Sequence, residues 1–261
     1  MPLSLQMSRK NKIVFIVVLV LAKTSAFAQT NVRDSSIFAP LICPSYSLQF
    51  PGADMAKRFG INSALGLQIL VKTRSNWIVG VSGDFIFSNQ VRETGMLDSI
   101  TSDGFLIANN GKLVDTRYSE RGFTAFIKFG RLFNRWAPNP NSGIVAMAGI
   151  GFLEHHIRID LIDGNSTIAP QLTDQLKKGY DRLTNGIAFS QFLGYMYLSN
   201  NRIANFFGGF ELTEGITSGA RAYQYDLMKK DDAQRTDILY GIRVGWILPL
   251  YKKAPKEFYT Y

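Results

Sequence analysis

Two adjacent histidines, His155 and His156, are the residues whose types most readily suggest chemistry. An imidazole held against a serine hydroxyl can act as the general base of acyl hydrolysis or transfer. Neighbouring residues on a strand point to opposite faces, so at most one of the two histidines can share a site with a given serine. No nucleophile motif surrounds Ser142, Ser190 or Ser218. We therefore predict no catalytic residue and interpret the histidines as interfacial polar residues at a strand end.

The sequence supports metal or redox chemistry even less than catalysis by the histidines. Adjacent histidines lack the i, i+4 spacing of a ligand pair. Asp160, Asp163 and Asn165 resemble part of a calcium loop, but the glycine and the final glutamate of that loop are not in register. Cys43 is the only cysteine and cannot form an internal disulfide. We predict neither a metal nor a cofactor.

The sequence pattern predicts that most of the chain forms β-strands. From Thr236 to Leu250 one face is continuously apolar, and it consists of Ile238, Tyr240, Ile242, Val244, Trp246 and Leu248. The opposite face is small or mixed and carries Arg243. Side chains alternate with a period of two along a strand, so this pattern is typical of a strand with one face toward lipid. The same alternation places Phe59, Ile61 and Leu65 outward on the stretch Phe59 to Lys72.

The same alternation turns four charged side chains inward from different strands: Asp84, Lys128, Glu211 and Arg243. An eight-stranded barrel is just wide enough for its own side chains to fill it. We therefore predict that these four form a buried charge network in the lumen.

Connection lengths predict the topology. Eight strands are expected: Cys43 to Phe50, Phe59 to Lys72, Trp77 to Phe87, Gly122 to Phe133, Gly143 to His155, Leu183 to Leu198, Arg202 to Thr213 and Thr236 to Leu250. Connections two, four and six are short, three, five and seven are long, and the first is intermediate. This alternation indicates an all-β fold, an eight-stranded antiparallel up-and-down transmembrane β-barrel with long extracellular loops. Gly143 to His155 consists largely of small and apolar residues, so its facing stays open, as does the facing of Leu183 to Leu198.

The N-terminus predicts export. Residues 1–28 combine Arg9, Lys10 and Lys12, an apolar run, and Ala26-Phe27-Ala28 before Gln29, which is the form of a secretory signal peptide. Residues 29–261 are then a single barrel domain, located in the cell outer membrane. Without the four basic residues of the signal, 25 Lys and Arg face 20 Asp and Glu, a net charge of +5. The basic residues are scattered, so we predict no nucleic-acid partner.

Two polar motifs lie at loop–strand junctions. KGYDRLTNG carries Lys178, Tyr180, Asp181 and Arg182, and PGADMAKRFG carries Asp54, Lys57 and Arg58. Arginine and lysine at an outer rim pair readily with phosphate, so these residues are candidates for contact with a partner or with lipopolysaccharide. Local capping of the loops is the favoured alternative, because loop polar residues often bond locally.

The run PGADMAKRFGINSALGLQILVKTRSNWIVGVSGDFIFSNQVRE, with ERGF, NPNSG, KGYDRLTNG and GWILPLY further along, resembles an uncharacterised family of Bacteroidota outer-membrane β-barrel proteins. The resemblance covers nearly the whole mature chain and implies location and fold, but no reaction, ligand or catalytic residue. One departure is that the closing strand ends in Leu250-Tyr251 and is followed by the tail KKAPKEFYTY. The terminal aromatic that the barrel-assembly machinery usually recognises is then either internal or Tyr261.

Together these features predict a barrel with a filled lumen that is a structural or accessory component of an envelope complex. Its expected partners are outer-membrane lipid, lipopolysaccharide and other envelope proteins. The alternatives are a lipid-modifying outer-membrane enzyme that uses His155 or His156, and a narrow channel.

Overall fold

The computed structural model describes residues 35–162, 169–200 and 204–250. The predicted signal peptide, Asp163, Asn165 and the C-terminal tail lie outside these residues. The eight long strands are β1 (Ala39–Ala53), β2 (Asn62–Lys72), β3 (Trp77–Ser88), β6 (Thr116–Phe133), β7 (Gly143–Leu161), β8 (Thr184–Tyr197), β9 (Phe206–Gly219) and β10 (Arg235–Trp246). The shorter elements are helix α1 (Met55–Arg58), strands β4 (Leu106–Ile107) and β5 (Leu113–Val114), a 3-10 turn (Pro170–Leu172), helix α2 (Asp174–Lys177) and strand β11 (Leu248–Pro249). None of the helices in the described ranges has the length and apolarity needed to cross a membrane.

The eight long strands form a closed antiparallel ring. Each strand pairs with its neighbour in the chain, and β10 pairs with β1 to close the sheet. The register of the ring can be followed by moving from Lys72 on β2 to its paired residue on the next strand, and so on around the ring. This path returns to β2 at Asn62, so one circuit displaces the register by 10 residues along the strand. Such a stagger requires the tilt of about 35–45° that is common in closed barrels. The predicted eight-stranded up-and-down barrel is confirmed.

Burial follows the alternation along each strand. On β10 the side chains of Tyr240, Ile242 and Val244 are exposed, whereas Leu239 and Arg243 are buried. The two strands whose facing was open follow the same rule: on β7 the odd-numbered residues Val145 and Leu153 point inward, and on β8 the even-numbered ones do. The outer surface of the ring is therefore apolar, and polar residues are concentrated in the lumen.

One predicted facing is wrong. β2 begins at Asn62 rather than Phe59, because Met55–Arg58 form the helix α1 and the chain then turns inward. Phe59 is fully buried, and its ring meets that of His155 edge-on with 5.3 Å between ring centroids. Side chains alternate between inward and outward only within a strand. The helical turn before β2 interrupts this alternation, so it does not predict the direction of Phe59.

The segment before β1 closes the barrel at the end where the connections are short. The buried ammonium of Lys72 donates to the side-chain oxygen of Asn141 (2.9 Å), the hydroxyl of Ser36 (3.1 Å) and the carbonyl of Ile37 (3.3 Å). Asn141 in turn donates to the carbonyl of Ser35 (2.7 Å). These bonds fasten the leading segment across the lumen.

The opposite end carries the long connections, residues 54–61, 89–115, 162–183 and 220–234, and we call their described parts the cap. Met55, Leu97, Leu106 and Leu172 of the cap form one hydrophobic cluster with strand residues that include Leu153. Because cap and lumen share this cluster, the long connections fold back into the barrel mouth instead of extending away from it.

Candidate functional site

A charge network crosses the middle of the lumen and joins the four charged residues that the sequence predicted to point inward. Arg243 contacts Asp84 (2.7 Å) and Glu211 (2.6 Å), and Lys128 contacts the other oxygen of Glu211 (2.8 Å). Three hydroxyls complete it: Ser45 accepts from Arg243, Thr124 donates to Asp84, and Ser190 donates to Glu211. All four charged side chains are buried. Two cations balance two carboxylates, so the network fills the barrel without leaving net charge.

A glycine makes room for this network. A Cβ atom at Gly66 would lie 1.9 Å from Asp84 Oδ1 and 2.8 Å from Ser45 Oγ. Gly66 is paired with Asp84 on β3 and with Ser45 on β1, so it sits beside the ion pair. Any other residue at this position would displace the carboxylate.

A second polar layer lies nearer the cap and contains His155. Its Nε2 is 2.9 Å from Asp237 Oδ2, which also accepts a hydrogen bond from the hydroxyl of Thr217 (2.5 Å). His155 is fully buried, so its interpretation as an interfacial residue is wrong. Within the described residues no serine or cysteine contacts it, and its Nδ1 has no hydrogen-bond partner. The pair has the base and the orienting carboxylate of a triad, but the neighbouring hydroxyl of Thr217 bonds to the carboxylate and not to the imidazole.

The cap is held to the strands by arginines from the two junction motifs. Arg58 contacts Glu93 (3.3 Å), Asp231 (3.4 Å) and the hydroxyl of Thr184 (3.0 Å). Arg182 contacts Glu93 (2.7 Å) and forms a two-pronged pair with Asp226. Arg182, which is buried, and Arg58, which is partly buried, thereby tie all four connections of the cap together.

Aspartates near β10 reinforce the cap. Asp231 accepts two hydrogen bonds from Arg235 (2.6 and 2.7 Å). Burial raises the pKa of the Asp231 carboxyl, but the bonds and charge of Arg235 and Arg58 outweigh burial and lower it overall. Asp54 accepts from Lys57 (2.7 Å) and from the backbone of Thr236 (3.0 Å), and these bonds lower its pKa.

Of the remaining motif residues, Lys178 and Asp181 line a pocket on the outer rim. Tyr180 is buried against Tyr225, with 5.5 Å between ring centroids, whereas Lys178 is exposed. Asp181 forms a two-pronged pair with Arg221 that raises the arginine pKa. The pocket is about 430 Å³ and is lined by His156, Ile157, Arg158, Ile159, Asp160, Asp174, Lys177, Lys178, Asp181 and Arg221. Five of these side chains can carry positive charge and three are carboxylates.

The seven motif residues therefore separate into two groups. Five are engaged within the cap, namely Asp54, Lys57, Arg58, Tyr180 and Arg182, while Lys178 and Asp181 line the rim pocket. Sequence reasoning missed the carboxylates that engage the arginines, namely Glu93, Asp226 and Asp231. No local signal identifies them, because Arg58 and Asp231 are separated by 173 residues in the chain.

No protein-family model matches the chain, and no curated protein matches it. The resemblance to a Bacteroidota family therefore stays a prediction. Among solved structures, the chain is similar to the attachment invasion locus protein Ail of Yersinia pestis in complex with the heparin analogue sucrose octasulfate, at 14% identity and a TM-score of 0.40 over 80% of this chain and 98% of that one. A second Ail structure matches at 10% identity and a TM-score of 0.36, over 80% of this chain and 97% of that one.

Proposed function

We propose that the protein is an outer-membrane β-barrel with a filled lumen that serves as a structural or accessory component of an envelope complex. The observation that carries this proposal is the layered filling of the lumen. The Lys72 layer, the central charge network and the His155 layer lie in succession below a packed cap. A barrel filled in this way offers partners a rigid surface rather than a path for solutes.

The outer surface supports a position within a membrane. Its exposed side chains are mostly apolar, and aromatic residues lie near the short-turn end, among them Trp77, Phe133 and Trp246. The guanidinium of Arg131 lies 5.1 Å from the ring of Trp77, the kind of contact found at a lipid headgroup boundary. Closure of the sheet satisfies the backbone groups that lipid cannot.

The test of the accessory role is isolation of a tagged copy from native membranes in mild detergent. We expect stoichiometric envelope proteins with the wild-type chain. The variant Arg182→Ala, which loosens the cap but keeps the strands, should lose them, whereas Lys112→Ala on an exposed turn should not. A barrel that is always recovered alone would contradict the accessory role.

A second candidate function is contact with lipopolysaccharide phosphate at the rim pocket. Its basis is the exposed ammonium of Lys178 beside His156 and Arg158, at the level where β7 emerges from the apolar surface. Lys178→Gln should weaken binding of purified lipopolysaccharide in a salt-dependent manner, while Lys230→Gln, the same change on another loop, should not. Equal binding by both variants would remove this candidate.

The enzyme alternative has less support. His155 is buried beside Asp237, no hydroxyl or thiol among the described residues hydrogen-bonds to its ring, and His156 lies on the opposite face of β7. Unchanged lipid A in a deletion strain would exclude a lipid-modifying reaction by either histidine.

A further inference from the structure

The outward surface has a groove between β6 and β9 that the proposed function does not use. Its floor is formed by Ala146 and Ala148 of β7, and its volume is about 670 Å³. Larger side chains stand on both sides: Trp77, Phe129 and Phe133 on one, and Leu193, Phe210 and Leu212 on the other. Ala148 pairs with Phe129 and with Gln191, so the groove follows β7 between two ridges.

Gln191 is an uncharged amide in a groove whose other lining side chains, except Arg131 near the short-turn end, are apolar. It lies in the middle of β8 and is exposed, and its outward neighbours on that strand include Ile187, Phe189 and Leu193. Throughout 35–162, 169–200 and 204–250, no side chain or backbone group bonds to this amide. Transfer of an unpaired amide from water to hydrocarbon costs about 4–8 kcal/mol. An acyl chain in the groove cannot lower that cost, so the occupant must supply a donor and an acceptor.

We propose that the groove is an interface between two copies of this chain in the membrane, with the two Gln191 amides paired to each other. A primary amide carries both a donor and an acceptor, so two amides related by a two-fold axis satisfy one another. Small residues such as Ala146 and Ala148 allow close approach within a bilayer, and the adjacent ridge of one copy enters the groove of the other. This inference rests on the membrane position proposed above.

The first experiment is disulfide cross-linking in phosphatidylethanolamine–phosphatidylglycerol vesicles. Cys43 is the only cysteine, so Cys43→Ser provides a cysteine-free background. Gln191→Cys should give a covalent dimer on oxidation. Leu67→Cys is the matched control, since it is outward and exposed on β2, four strands away around the ring. Cross-linking that is absent or equal for the two variants overturns the inference.

The second experiment distinguishes a dimer in which Gln191 is paired from a monomer in which Gln191 faces lipid. In the dimer, Gln191→Leu should raise the dissociation constant, measured by energy transfer between labelled copies in vesicles, by about 3- to 20-fold. Ala148→Phe should abolish transfer by filling the groove, whereas Ile69→Phe on β2 should not change it. If Gln191 instead faces lipid, Gln191→Leu stabilises the barrel against urea and leaves energy transfer unchanged.

The two proposals fail in distinguishable ways. A chain that inserts into vesicles but neither cross-links nor transfers energy overturns the two-copy interface alone. A chain that does not insert overturns the membrane position, and this inference with it.

Discussion

Single residues in the lumen determine whether the barrel stays filled. Arg243 alone contacts both carboxylates of the central network, so it is the member whose loss leaves the most charge without a partner. Breaking a buried ion pair by removal of one partner costs far more than the net contribution of the pair, because the remaining charge stays desolvated.

Arg243→Met should therefore lower the free energy of unfolding by about 3–5 kcal/mol. Urea unfolding in lipid vesicles, followed by tryptophan fluorescence, measures this loss. The matched control is Lys112→Met, where an exposed loop cation should contribute less than about 0.5 kcal/mol. Equal stability of the two variants would show that the network contributes nothing to the fold.

Gly66→Ala should disturb the same network without removing a charge. The new methyl group would overlap Asp84, and such overpacking costs about 1–3 kcal/mol. At Gly83 the atoms nearest to an added Cβ would be 3.7 Å away, so Gly83→Ala should change stability by less than about 1 kcal/mol. The same urea titration compares them, and a Gly66→Ala variant as stable as the wild type would contradict the close contact.

At the scale of elements, the cap behaves as one unit because arginines join its connections. Arg182 contacts Glu93 from one connection and Asp226 from another, while Arg58 contacts Glu93 and Asp231. A pair within a helix, such as Lys177–Asp174, is exposed on its acidic side and contributes little by comparison.

Arg182→Gln should accelerate proteolysis within residues 220–234 and leave the strands protected. The reason is that Asp226 and Glu93 would lose their shared partner, while the pairings of β9 and β10 would remain. Limited digestion followed by mass spectrometry locates the cuts, and Lys177→Gln serves as the control. Cleavage at the wild-type rate in both variants would mean that other contacts hold the cap.

Cap order should also decrease in acid. The pKa of Asp231 is lower in the folded state than its ordinary value of about 4. The stability that its ion pairs give the cap is therefore complete above the ordinary pKa. It is lost as the pH falls below that value and through the folded-state pKa. The protection factors of residues 220–234, which correct hydrogen exchange for the pH dependence of the intrinsic rate, should fall over this range. In the Asp231→Asn variant, the amides of residues 220–234 should be less protected at neutral pH, and their protection should depend less steeply on pH. Parallel profiles for the two proteins would refute this linkage.

At the scale of the whole molecule, three polar layers and a packed cap make conduction the least favoured activity. The purified protein should give no discrete conductance steps in planar bilayers, because ion pairs and packed side chains occupy the lumen from end to end. Arg243→Gly, which removes the largest fully buried side chain in the described part of the chain, is the informative companion variant. Steady steps from the wild-type protein would favour the narrow channel instead.

Much of this architecture follows from local sequence. Strand periodicity depends only on residues two apart, so the outward faces of most strands and the inward positions of Asp84, Lys128, Glu211 and Arg243 could be derived from the chain alone. The order of the strands could be derived as well. Short and long connections alternate along the sequence itself, and this alternation was enough to predict eight antiparallel strands.

Other features required the tertiary structure, because they depend on contacts between residues far apart in the chain. The stagger of 10 residues is a property of the closed ring and of no single strand. Burial of Phe59 and the pairing of His155 with Asp237 depend on how the cap enters the barrel mouth. The facing of β7 and β8 was open because small and apolar residues occupy both faces of those strands, and only pairing with their neighbours decided it. The carboxylates that hold Arg58 and Arg182 come from distant connections, so folding alone brings them to the arginines.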